Sequence, residues 1–243
     1  MELPLRFHWS PNLGENSSDA AAVIGVCRLA EGAGVESVHV REAALAMAAG
    51  METSSIKFRI GIGCGADGMA PAEWVQQVME ARAILGTRLL IHLHLDNAES
   101  VEWAGEFLDR LEDSERPEVH VEGETTQAAF LAIQRGDCLW RLPGQPEQVY
   151  ADALPVIHFG KEVGLVSSII ARATRQEALE AAAALDTEPT AMIGSFEEVA
   201  EAVHEFKRKS ISQFLFRGGP DQQDLMYFGS GVLPLVRARE GVN

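Results

Sequence analysis

Short β-prone runs alternate with Ala-rich amphipathic stretches along the whole chain, and this alternation constrains the fold more than any other feature. Strands are expected at Leu5–Ser10, Ser37–Glu42, Phe58–Cys64, Arg88–Leu95, Glu118–Glu122, Cys138–Leu142, Leu165–Ala173 and Gln213–Arg217. Helices are expected at Ser18–Glu31, Ala43–Met51, Ala72–Leu85, Ser100–Glu112, Thr126–Arg135, Pro146–Val163, Gln176–Leu185 and Asp224–Arg237, with one more opened by Ser195 and running to Lys209. The punctuation agrees. Ser17, Ser18 and Asp19 are N-cap candidates, Pro71 suits a first helical turn, and Ser195-Phe196-Glu197-Glu198 is a capping box. Gly34, Gly86, Gly136 and Gly164 stand where units end, and Pro155 should kink or split its helix. Repeated βα units imply a parallel sheet, and about eight of them imply closure into an α/β (β/α)8 TIM barrel. An open doubly wound sheet is the competing arrangement. No linker-like run divides the chain, and Asp113–Arg116 and Asp186–Pro189 read as polar loops, so residues 1–243 are expected to form one domain.

Composition narrows the partners. The formal net charge of −16 repels phosphate backbones and anionic lipid, so neither nucleic acid nor membrane is expected. Cys27, Cys64 and Cys138 are too scattered for a disulfide framework or a zinc ribbon, and a reducing, cytoplasmic setting follows. Met1 to Ser10 offers no basic and apolar signal-peptide pattern, and no apolar run reaches the roughly 18 residues that span a bilayer.

In a barrel of this kind, chemistry gathers where strands end. The polar residues at those points are His8, Ser10, Glu42, Cys64, His92, His94, Asp96, His120, Glu122, Arg141, Ser167, Ser168 and Arg217. Strand alternation puts His92, His94 and Asp96 on one face. Two imidazoles two residues apart can share a metal ion, but spacing supplies no complete ligand set; hydrogen-bonded barrel filling or cofactor contact accounts for them as well. Gly123, Thr125 and Thr126 form a strand-to-helix turn whose free N–H groups suit a phosphate, beside the simpler reading of a Thr N-cap. The glycine-rich run from Ile62 to Gly68 lacks both dinucleotide and P-loop spacing and is either a close-approach loop or a surface loop. Cys64 has no evident partner base. Trp9 and Trp140, at strand ends, either wall a pocket for an aromatic cofactor or pack the core.

Several segments resemble bacterial luciferase-like flavin-dependent monooxygenases, with the alkanesulfonate monooxygenase branch nearest. They are Phe7-His8-Trp9-Ser10-Pro11, Ala30 through Val38, Ala46 through Met51 with Ile56-Lys57-Phe58, Pro146-Glu147-Gln148-Val149, and Met192-Ile193-Gly194-Ser195 with Phe214-Leu215-Phe216 and Leu233-Pro234-Leu235. The resemblance implies a (β/α)8 barrel that binds reduced FMN from a separate flavin reductase, in preference to F420, and inserts oxygen into a small organic substrate. It implies a homodimer. It also implies flavin-phosphate contacts at Gly123, Thr125 and Thr126 and a flavin-facing end for His94 to Asp96. Members of the branch carry a long late insertion with a lid, whereas Leu185 here runs almost directly to Met192. Val166 and Ser168 stand where that branch has Arg and His, and Gly219 where it has Tyr.

The site residues expected are therefore His8, His94 and Arg141 for polar steps. Trp9, Cys64, His92, Asp96, Gly123, Thr125, Thr126 and Trp140 are expected around the cofactor, and no metal is assigned. Two other functions compete with a flavin oxidoreductase or monooxygenase: a non-catalytic flavin-binding or accessory subunit of the same fold, and a metal-dependent barrel hydrolase using His92 and His94.

Overall fold

A computed structural model describes residues 3–13, 18–66, 68–111, 116–184, 191–218 and 222–241. Its strands are β1 (Arg6–Ser10), β2 (Ser37–Val40), β3 (Lys57–Gly63), β4 (Leu89–His94), β5 (Glu118–Glu122), β6 (Cys138–Arg141), β7 (Glu162–Arg172), β8 (Met192–Ser195) and β9 (Gln213–Arg217). Its helices are α1 (Ala20–Ala33), α2 (Ala43–Met51), α3 (Pro71–Leu85), α4 (Ala98–Arg110), α5 (Thr126–Arg135), α6 (Pro146–His158), α7 (Arg175–Ala184), α8 (Phe196–Arg208), α9 (Gln223–Tyr227) and α10 (Leu233–Glu240). All the strand pairings are parallel. β1 through β7 follow one another around the sheet, and β9 bonds to both β7 and β1, which closes an eight-stranded (β/α)8 barrel. The open-sheet alternative is thereby excluded.

The expected strands all form. β8 is an addition: it pairs only with Ile169–Arg172, beyond the stretch of β7 that bonds to β9. β7 also starts earlier than the sequence pattern suggested. Gly160 takes a left-handed conformation just after α6, so the chain turns back at Glu162 instead of continuing the helix to Val163. Pro155 lies inside α6, within one turn of its end. The closing helix is broken by a π-helical segment, Phe228–Val232, between α9 and α10. A Cβ on Gly229 would lie 2.7 Å from Ala33, and one on Gly231 2.7 Å from Phe196, so these glycines let the segment press against α1 and the start of α8. Asp19 caps α1 through a bond from the Ala21 N–H, and Ser195 caps α8 through a bond from that of Glu198. Ser17, the two loops at 113–115 and 186–189, Leu185 and Gly219 lie outside the described residues.

Two cores result, and they differ in chemistry. Between sheet and helices lies a continuous apolar layer. It includes Phe7, whose ring meets those of Phe214, Phe216 and Phe228 at centroid distances of 5.8, 6.2 and 5.2 Å. Burying each such ring stabilises the fold by about 1.5–3 kcal/mol. Inside the barrel the apolar cluster shrinks to Cys138, Trp140, Val166 and Leu215. Charged and imidazole side chains occupy much of the rest, where barrels of this type usually hold branched aliphatics. No helix among the described residues is long and apolar enough to cross a membrane.

Candidate functional site

The polar interior is organised in layers by strand parity. At the N-terminal ends, Arg6 donates to Glu36 at 2.9 Å and to Glu118 at 2.8 Å, with Glu162 at 3.7 Å. Burial works against the charge of Arg6, but its hydrogen bonds to Glu118 and Glu36 raise its pKa. One layer up, His8 spans Ser37 at 2.7 Å and the amide oxygen of Gln213 at 3.0 Å. An amide oxygen only accepts, so His8 donates from Nε2 and accepts from the Ser37 hydroxyl at Nδ1. Trp140 donates its indole N–H to His120 Nδ1 at 2.8 Å, which makes His120 Nε2 the donor to Glu118 at 2.7 Å. Burial pushes His8 well below the ordinary histidine value and takes His120 down to about 3. Arg59 is wholly buried, stacks over Trp140 at 4.5 Å, and is lowered to about 9 by burial.

The third layer opens into a cleft of about 840 Å³ at the C-terminal ends of the strands. Its wall includes Ser10 of β1, His39 of β2, Gly61 and Gly63 of β3, His94 of β4, Glu122 of β5, Ser168 of β7 and Arg217 of β9, with Arg41 beyond β2. Gly61 makes room for two rings. A Cβ there would lie 2.6 Å from His39 and 3.3 Å from His94 Nε2. His92 and His94 stack at 4.5 Å between centroids. His92 Nε2 lies 2.8 Å and His94 Nδ1 3.4 Å from the same oxygen of Glu122, and Arg217 approaches the other oxygen at 3.7 Å. Burial opposes the Glu122 charge, yet the hydrogen bonds from His92 and His94 hold its carboxyl far below the usual range. Burial and the neighbouring His94 lower His39 to about 3 and push His92 well down. The Nδ1 of His39 is buried with no protein hydrogen-bond partner.

The ligand atoms of His92, His94 and Glu122 lie within 4.8 Å of one another, close enough to surround an ion. The surroundings have the wrong polarity for one. A metal-bound imidazole normally donates its second N–H to an acceptor. Here the second nitrogen, His92 Nδ1, accepts from the Arg59 guanidinium at 2.9 Å. The proton of neutral His92 is thus on Nε2 and is given to Glu122. The trio is a hydrogen-bonded carboxylate clamp, and this favours barrel filling and cleft shaping over the metal alternative.

Of the residues expected at the site, the structure brings His94 to the cleft surface and His92 directly beneath it. His8, Trp140 and His120 lie in the layer below, with His8 and Trp140 fully buried. Arg141 is buried beside the β5–α5 turn, where it donates to the Gly123 carbonyl at 2.6 Å. Gly123 is a packing glycine, since a Cβ would meet the Leu95 carbonyl at 2.8 Å. Thr125 caps α5 through a bond from the Ala128 N–H, and Thr126 begins that helix at the surface. Trp9 is buried against Gly218, and Cys64 is buried at the top of β3. Asp96 is not part of the strand face of His92 and His94, because β4 ends at His94 and Asp96 lies exposed in the loop beyond it. Polar cleft residues absent from the strand-end candidates include Asn12, His39 and Arg41, and Arg59 is buried beneath. The alternation Ser37-Val38-His39-Val40-Arg41 carried the signal: its polar members share the inward parity of β2.

No family model and no curated protein matches the sequence. Solved structures do match in shape. A riboflavin lyase with modified FMN and riboflavin superimposes with a TM-score of 0.83 at 10% identity, over 99% of this chain and 93% of that one. The EDTA monooxygenase of Chelativorans sp. BNC1 gives 0.82 at 11% identity, over 99% and 95%. The coenzyme F420-dependent tetrahydromethanopterin reductase of Methanopyrus kandleri gives 0.73 at 10%, over 96% and 99%. At such identities the likeness establishes a common fold: this chain has the barrel on which flavin- and F420-dependent enzymes are built.

Proposed function

We propose that the protein is a luciferase-like flavin-dependent oxidoreductase or monooxygenase that binds reduced FMN in the strand-end cleft and acts on a small organic substrate. The carrying observation is the cleft itself, about 840 Å³ at the C-terminal mouth of a barrel shared with flavin and F420 enzymes. The volume lies within the roughly 300–1,000 Å³ of ligand pockets. Its charge supports an anionic ligand. The chain has a formal net charge of −16, yet among the described residues the cleft wall carries Arg41 and Arg217 against one carboxylate, Glu122. Such a local reversal attracts a phosphate-bearing cofactor. The residues present fit the group. Arg41 and Arg217 offer charge to its phosphate, Gly61 and Gly63 put side-chain-free backbone in the wall for a flat ring, and His39, whose buried Nδ1 has no protein partner, lines the same wall.

Bound flavin would supply the two-electron and oxygen chemistry. The chain's own residues orient the ligand through Arg217 and Ser10, and present His39 and His94 for hydrogen bonds and proton movement. The separate reductase, the choice of FMN over F420, and the homodimer belong to this reading on the strength of the sequence resemblance. The alkanesulfonate branch gains no support from the structural likenesses, and Val166 and Ser168 leave its inner wall without the expected cations.

Anaerobic titration with reduced FMN and with F420, read by fluorescence and absorbance, tests the proposal. Saturable binding of reduced FMN supports it, and absence of binding to either cofactor overturns it. Stopped-flow mixing of the reduced complex with oxygen then separates an active oxygenase from a flavin-binding accessory subunit, which would show no transient oxygen adduct.

A further inference from the structure

Arg59, His92 and Glu122 form a directional chain of hydrogen bonds, and His94 stands 3.4 Å from its terminal carboxylate at the cleft. Arg59 has no acceptor atoms, so its contact with His92 Nδ1 at 2.9 Å requires a lone pair on that nitrogen. His92 must then carry its proton on Nε2 and give it to Glu122 at 2.8 Å. Glu122, held as a carboxylate, has its Oε2 only 3.4 Å from His94 Nδ1. Two lone pairs do not face each other at that separation, so Nδ1 of neutral His94 bears the proton. The remaining lone pair is on Nε2, which lies over Gly61 in the cleft wall.

From this geometry we infer that Glu122 and His94 are a carboxylate–imidazole dyad, with His94 Nε2 as the proton acceptor for a ligand bearing an O–H or N–H donor. Arg59 and His92 are positioning residues that set the direction of the chain. The logic is that of a base whose tautomer is held by a carboxylate behind it. When the ligand gives up its proton, its O–H or N–H bond breaks and an N–H bond forms at His94 Nε2. The bonding pair stays on the ligand. The imidazolium is then paired with Glu122, and Arg41 and Arg217 on the same cleft wall are the cations available to the new negative charge. The 3.4 Å contact is of the long kind that tightens when a ligand closes the site. The ligand-binding role rests on the proposed function; the tautomer does not.

The test is therefore made on the ligand-free protein. Histidine labelled with 15N, read by long-range proton–nitrogen correlation at neutral pH, reports which ring nitrogen of His94 is protonated. The expected result is Nδ1–H in the wild type, reverting to mainly Nε2–H in Glu122→Ala. His92→Leu should lose the Nδ1–H preference, and His92→Gln, whose amide can still donate to Glu122, should retain it. A wild-type His94 protonated at Nε2, or a tautomer indifferent to Glu122→Ala, overturns the dyad. An unchanged His94 signal in folded His92→Leu overturns the positioning role; if that variant does not fold, the wild-type and Glu122→Ala spectra still decide the dyad. Failure of the FMN titration with the expected tautomers present would sink only the cofactor reading.

Discussion

At the scale of single residues, the barrel interior stores its stability in uncharged imidazoles. His8, His39, His92 and His120 all have their pKa depressed by burial. In the unfolded chain they take up protons near the ordinary value of about 6.5, while in the folded chain they resist it. Their contribution is therefore complete above about pH 6.5 and is lost as pH falls below it, by about 1.4 kcal/mol per pH unit for each residue. Glu118 and Glu122, whose pKa values are also depressed, add to the loss at more acidic pH. Urea midpoints measured from pH 8 to 4 should stay level above pH 7 and fall steeply below pH 6; a flat profile down to pH 4 would show that these rings are not buried neutral. His94 differs, standing at the cleft surface with a third of its side chain exposed. His94→Ala should weaken reduced FMN binding by about tenfold or more while shifting Tm by less than about 2 °C, in keeping with a residue outside the packed core. Zinc in excess should leave Tm unchanged within about 1 °C, because a bound ion would stabilise the fold by mass action; a rise of several degrees would contradict the reading of Arg59 as the partner of His92.

His94, Glu122, Ser10 and Arg217 were legible in the sequence because each ends its strand, whereas Ser168 ends only the stretch of β7 that pairs with β9. His39 and Arg59 were not: the sequence pattern ran β2 on to Glu42, past His39, and Arg59 lies below the cleft, away from any strand end. Their positions follow only from parity read together with closure. Lys57-Phe58-Arg59-Ile60-Gly61 alternates as a half-solvated strand would, and only a closed barrel turns its polar face into an interior.

At the scale of elements, the sequence pattern located units better than joints. α2 and α5 begin and end where the pattern placed them, because both their starts and their stops are local. β8 escaped notice because it is four residues long and pairs only with the extension of β7. The π-helical break escaped because its cause is tertiary, the contact of Gly229 and Gly231 with distant side chains. Close approach also explains Gly164 in β7, where a Cβ would lie 2.5 Å from the Trp140 ring. Gly164→Ala should therefore lower stability by about 1–3 kcal/mol through overpacking inside the barrel. Gly105, inside α4, has nothing within 4 Å of its Cβ position, so Gly105→Ala should raise stability by about 0.5–1 kcal/mol through helix propensity alone. Thermal or urea unfolding of the two variants reads opposite signs if the packing is as described.

At the scale of the whole molecule, an apolar layer outside the sheet holds the barrel together and a polar column inside it leads upward to the cleft. The column is what separates this chain from a barrel filled with aliphatics, and it ends at His39, His94, Glu122 and Arg217. A cleft at the C-terminal mouth was to be expected from the βα repeat alone; its wall was legible only in part, because Trp9, Trp140, Arg141 and the 123–126 turn are engaged in packing and capping. A crystal structure of the protein soaked with FMN under reducing conditions tests the central claim most directly. The flavin ring should appear in the strand-end cleft, against His39, His94 and Gly63, with its phosphate near Arg217 or Arg41. A flavin bound elsewhere, or an empty cleft at saturating cofactor, would contradict it.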